Sequence, residues 1–164
     1  MSAMIKYVLF FMFILSYHIS ACSCLSEPSV KDSFIYSHYI FVGKIVAKRT
    51  ILYRWTDYFP KYDTTKRGNS VFKKEYEYDF LVQRFFKGSY NNDVDSIIKV
   101  TTGLGGGDCG FPFRFGNDYI VYANFENSIK SPNTYILKTT ICTRTCSYDE
   151  EEIEELEKEI EALH

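Results

Sequence analysis

All five cysteines of this chain lie beyond residue 21, behind an apolar leader, and no other feature limits its folding more tightly. Lys6 gives the leader a thin positive start, residues 7–17 carry no charge, and Ala21 supplies the small residue expected at a cut. The pattern predicts an export signal over residues 1–21, leaving Cys22 as the first mature residue. The apolar run falls short of the roughly 20 residues that a membrane span needs. A buried core helix is the rival reading, but it leaves so apolar a run at the start of the chain unexplained. An exported chain meets an oxidising compartment, so Cys22, Cys24, Cys109, Cys142 and Cys146 point to disulfides with one cysteine left over. Cys-x-Cys and Cys-x-x-x-Cys could also be metal-ligand pairs. No histidine lies near them and the zinc spacings are only half met, so disulfides are the stronger expectation.

The rest of the chain, within a total of 164 residues, is the size of one domain with one core. Its aromatic content of 18% argues against disorder and for strands. Residues 39–47 are aromatic and β-branched, with Gly43 placed where a strand bends or bulges. Tyr76, Tyr78, Phe80 and Val82 alternate with mostly charged neighbours, the pattern of a half-buried strand ending at Lys87-Gly88. Further strands are expected over residues 97–102, 119–123 and 135–141. A short helix, with Ser29 as N-cap, precedes the first strand over residues 31–38. The stretch between Thr50 and Val71, with the aromatic run of residues 53–60, reads as an extended hairpin tip or long loop whose aromatics either fold back or meet a partner. The chain thus divides into a signal (1–21), a mainly β domain of five strands (22–147) and an acidic helix (148–164).

Residues 149–161 hold nine acids against Lys158, a local charge of −8 that leaves +6 on the rest of a chain whose total is −2. No Lys/Arg cluster stands out, and export removes the chain from nucleic acid, so no nucleic-acid partner is expected. In the acidic stretch Ile153, Leu156, Ile160 and Leu163 form one narrow apolar stripe, which favours a helix packed on the β domain over a coiled coil. Gly103-Leu104-Gly105-Gly106-Gly107-Asp108 lacks the Lys-Ser/Thr ending and the following helix of a phosphate loop, and reads as a mobile turn. His38 and His164 stand alone, and no nucleophile, base and orienting residue can be assembled. The chain is therefore not expected to be an enzyme or to carry a cofactor of its own.

Several segments, in order, resemble the N-terminal inhibitory domain of the tissue inhibitors of metalloproteinases, within the netrin-like group. They are Cys22-Ser23-Cys24, Tyr39-Ile40-Phe41-Val42-Gly43-Lys44, Phe85-Phe86-Lys87-Gly88, Asp108-Cys109-Gly110-Phe111 and Thr140-Ile141-Cys142. The resemblance implies a five-stranded oligonucleotide/oligosaccharide-binding (OB) barrel, with Cys22 paired to Cys109 and Cys24 to Cys142. It also implies a secreted inhibitor whose partner is a zinc metalloprotease, the zinc belonging to the protease. The amine and carbonyl of Cys22 would chelate that zinc, Ser23 would enter the specificity pocket, and Leu25, Gly107 and Asp108 would flank the wedge. The family's third cysteine has no counterpart between residues 25 and 39, its C-terminal domain is replaced by the acidic helix, and Cys146 is extra. A monomer is expected, with a dimer bridged by Cys146 as the alternative.

Ile19-Ser20-Ala21-Cys22 also fits a bacterial lipoprotein signal. Lipidation would consume the Cys22 thiol, make the other four cysteines an even set, and turn the domain into a membrane-anchored module binding protein or glycan. The two readings exclude each other.

Overall fold

The computed structural model describes residues 22–24, 26–56, 70–88, 96–127 and 135–162. The expected signal over residues 1–21, Leu25 and the segment 57–69 lie outside them. The protein is mainly β: a six-stranded mixed sheet in which five strands form a near-closed ring, with two helices packed outside it. Helix α1 (Val30–Tyr36) leads into β1 (Tyr39–Thr56), which runs antiparallel to β2 (Ser70–Lys87). β2 pairs antiparallel with β3 (Ile97–Thr102), and β3 pairs parallel with β5 (Tyr135–Lys138). β5 is antiparallel to β4 (Asp118–Asn127), whose first half returns to the start of β1, from Tyr39↔Ala123 to Lys44↔Asp118. A two-residue strand, β6 (Cys146–Ser147), adds to β4, and α2 (Glu150–Glu161) follows.

Two cores explain the sequence pattern. Inside the ring, Phe41, Ile45, Tyr78, Phe80, Val100 and Val121 pack together with the edge-to-face ring Phe113. Outside it, Ile40, Val42, Ile120 and Tyr122 are covered by Val30 and Phe34 of α1 and by Ile153 and Leu156 of α2. β1 and β4 are thus buried on both faces where they meet, which is why residues 39–42 and 119–123 read as unbroken apolar runs. β2 keeps its charged alternation because Glu77 and Asp79 face outward, where both bind Arg49.

Gly43 sits at a register shift between β1 and β2, and a Cβ there would stand 3.0 Å from the Phe41 ring and 3.2 Å from the Leu81 carbonyl. A side chain there would need the Phe41 ring or the Leu81 carbonyl to give by a few tenths of an ångström, so the sheet coils at a position that favours glycine.

The element boundaries differ from expectation in informative ways. β1 continues to Thr56 and β2 begins at Ser70, so of the two alternatives for this stretch its described part is an extended antiparallel hairpin rather than a loop. Beyond the ring the two strands pair only with each other, and the apolar alternation seen in the ring is not carried on in this ribbon's sequence. α1 stops at Tyr36 because Ser37 is extended and the Lys87 ammonium donates to the carbonyls of Phe34 and Ile35. Its start is as expected: Ser29 Oγ accepts from the Asp32 amide at 3.0 Å. α2 lays Ile153 and Leu156 on the ring, while Leu163 lies outside the described residues.

Candidate functional site

Cys22-Ser23-Cys24 lies on the rim of the ring, without regular secondary structure, and is bonded to two turns at once. Cys22 is disulfide-bonded to Cys109 and Cys24 to Cys142, with Cα atoms 5.5 and 5.4 Å apart. The two bridges are neighbours: the sulfurs of Cys22, Cys109 and Cys142 all lie within 4.8 Å of one another. All three sulfurs are committed to disulfides, so this cluster offers no thiolate to a metal. Ser23 is exposed between its two half-buried neighbours.

The first receiving turn, residues 103–110, is held by hydrogen bonds to one carboxylate. The Asp108 carboxylate accepts the amides of Leu104 at 2.7 Å, Gly105 at 2.8 Å and Gly110 at 3.2 Å. Desolvation pushes its pKa up, but these three donors, helped by Lys73, outweigh it and hold the carboxyl below its ordinary value. Cys109 adopts the left-handed conformation (φ 56°) at the end of a short 3₁₀ turn, Gly106–Asp108. Gly110 crosses the Gly103 backbone so closely that a Cβ would meet its carbonyl oxygen at 2.2 Å.

The second turn, residues 139–145, is held by hydroxyls. Thr139 Oγ1 lies 2.6 Å from both Thr143 Oγ1 and Thr145 Oγ1, and Thr145 Oγ1 donates to the Tyr122 carbonyl at 3.1 Å. The Cys142 amide donates to Thr140 Oγ1 at 3.1 Å. The turns are also joined directly, since the Ile141 amide donates to the Cys109 carbonyl at 3.0 Å.

A further anchor comes from the C-terminal helix. Arg144, itself in the left-handed region (φ 27°), donates through Nε and Nη2 to the buried Glu152 carboxylate and through Nη1 to the Pro28 carbonyl at 2.8 Å. Tyr122 OH donates to the same carboxylate. The hydrogen bonds with Glu152 hold the Arg144 guanidinium above its ordinary pKa, and burial holds the Tyr122 phenol above its own. The segment following the tripeptide is thereby tied to α2.

Of the sequence-predicted wedge residues, the structure gathers Cys22, Ser23, Cys24, Gly107 and Asp108 at one rim; Leu25 is outside the described residues. The Asp108 carboxylate points into its own turn. Arg144, Glu152 and the threonine cluster were not singled out in the sequence; only the density of threonines over residues 139–145 signalled them. Cys146 is free and half-buried on β6, where burial, helped by Glu152, pushes its thiol up to about 12. No protein-family model matches the chain, and no curated protein matches it either.

Proposed function

We propose that this chain is an exported inhibitor of zinc metalloendopeptidases, of the tissue-inhibitor type, built on an OB barrel. The strand order β1-β2-β3-β5-β4 with return to β1, and the parallel β3–β5 pair, support the barrel reading. The observation that carries the function is the double tether, which fixes Cys22-Ser23-Cys24 at the rim with Ser23 outward. Once export has cut after Ala21, the Cys22 amine and carbonyl are the two donors offered to a protease zinc that keeps an open position. An α-amino group with a pKa near 8 is close enough to neutrality for zinc to displace its proton. Ser23 enters the specificity pocket and, being small, selects weakly among proteases. The backbone of Gly107 and Asp108 lines one flank; Leu25, the other flanking residue that the resemblance implies, lies outside the described residues. The zinc is the partner's, the inhibitor acts as an extracellular monomer, and it catalyses nothing. The packing of Cys146 against the outer core, which half-buries its thiol, weighs against a bridged dimer. The Cys22–Cys109 bond occupies the thiol that lipidation requires, which weighs against the anchored alternative.

The test is an inhibition assay against zinc metalloproteases with protein whose first residue is verified as Cys22 by intact mass, beside a variant carrying one added alanine ahead of it. Inhibition by the first and a loss of at least about 100-fold in the second, at unchanged melting temperature, is the expected result. Equal inhibition by both would sink chelation.

A further inference from the structure

We infer that the two disulfides form an exchange relay, in which one dithiol reductant frees both cysteines of the N-terminal tripeptide while leaving the barrel with a single disulfide, Cys109–Cys142. The geometry is asymmetric. Cys142, not Cys24, is the member of its bridge whose sulfur lies within 4.8 Å of both Cys22 and Cys109. A reductant thiolate that attacks Cys24 Sγ forms a mixed disulfide there and expels Cys142 as a thiolate. A staggered rotamer change at Cys142 displaces its sulfur by roughly 3 Å, enough to bring it to bonding distance of the neighbouring bridge.

The Cys142 thiolate then attacks Cys109 Sγ, the Cys109–Cys142 bond forms, the Cys22–Cys109 bond breaks, and Cys22 leaves as a thiolate that takes a proton from water. The reductant's second thiol resolves the mixed disulfide at Cys24. The reductant loses two electrons and becomes a disulfide; the protein goes from two disulfides to one and gains two thiols, Cys22 and Cys24.

Attack at Cys109 rather than Cys22 follows from what remains after the first cut. Cys109 and Cys142 sit on turns held to each other by the Ile141 amide and the Cys109 carbonyl, and each turn is locked by its own hydrogen bonds, to Asp108 in one and among the threonines in the other. Cys22 lies on a short segment that the second bridge no longer retains. The new bond also spans only 33 residues, against 87 and 118 for the original pair, so it is the easiest of the three to close. Cys146 stays outside the relay because it is held on β6 opposite Ile120, packed against the outer core, and its sulfur is not among the three that lie within 4.8 Å of one another. Where the proposed inhibitory function holds, the relay is its reductive off-switch, since the wedge loses both tethers in one event.

The experiment treats the oxidised mature protein with substoichiometric dithiothreitol, quenches in acid, alkylates with N-ethylmaleimide, and maps the bonds by peptide mass. The expected main product carries alkylated Cys22 and Cys24 and a Cys109–Cys142 disulfide. A Cys24→Ser variant, oxidised and purified, is expected to show the same new bond with Cys22 free. A product alkylated at Cys24 and Cys142 with Cys22–Cys109 intact, or a Cys22–Cys142 bond, would overturn the relay. The bond map does not involve the target metalloprotease, so a protein that exchanges but never inhibits refutes the proposed function and leaves the relay standing.

Discussion

Gly110 and Asp108 make the Cys109 turn possible through opposite means, one by absence of a side chain and the other by its charge. Alanine at Gly110 would put Cβ 2.2 Å from the Gly103 carbonyl oxygen, on backbone that cannot give way without moving Cys109. Gly110→Ala is therefore expected to lower stability by more than about 2 kcal/mol and to leave Cys22 and Cys109 unpaired in part of the sample, read by denaturant midpoint and thiol titration. Asp108→Ala removes the acceptor of three amides and is expected to cost about 1 kcal/mol, the size of a lost helix cap. Because its folded pKa is depressed, the stability Asp108 adds is present above its ordinary carboxyl range and is lost as pH falls through the lower, folded value. The gap between parent and variant should accordingly narrow as pH falls below about 4; a gap unchanged between pH 7 and pH 2 would exclude a role for the charge. Cys146 gives a simpler residue test. A thiol at about 12 is ionised some thousandfold less at pH 8 than an ordinary one, so native Cys146 should alkylate slowly and at normal speed once unfolded.

At the scale of elements, α2 is joined to the ring by polar and apolar contacts that fail differently. Arg144 and Glu152 are 20% and 8% exposed, so a neutral partner leaves a largely buried charge unanswered. Glu152→Gln is expected to cost about 3 kcal/mol, with the double change Arg144→Leu, Glu152→Leu costing less than the sum of its parts in a double-mutant cycle. Little of this pair was legible in the sequence, because Glu152 reads as one acid among nine and Arg144 as a turn residue; only the fold brings them together. The strands were legible where one face is wet, as in β2, or where both are dry, as in residues 39–42. They were not legible where β1 and β2 leave the ring as a ribbon, nor in β6, whose two residues carry no period. The hydrogen bonding of the 103–110 turn was not legible because glycine content reports what a backbone can do, whereas one carboxylate sets the conformation it takes. The cysteine pairing followed from the family resemblance, not from spacing, since five cysteines at these positions permit several pairings.

For the whole molecule the decisive point is that the ring has a dry outer face. Ile40, Val42, Ile120 and Tyr122 are each no more than 3% exposed, and they stay so only while α1 and α2 cover them. An acidic helix with a narrow apolar stripe looks dispensable, and the domain would then be complete at residue 147. The packing argues otherwise: Ile153 and Leu156 are buried, and two such side chains contribute about 3–6 kcal/mol, comparable with the whole stability of a small domain. Removing the helix also takes away Glu152, so Arg144, which donates to the Pro28 carbonyl, loses the carboxylate that orients it, and the segment behind the tripeptide loosens together with the outer core. A chain ending after Tyr148 is expected to keep both disulfides in an oxidising compartment yet lose its near-ultraviolet circular dichroism and bind a hydrophobic dye, as a compact state without fixed packing does. Native spectra and an unchanged denaturant midpoint in that truncated chain would show instead that the ring stands alone and that α2 only decorates it.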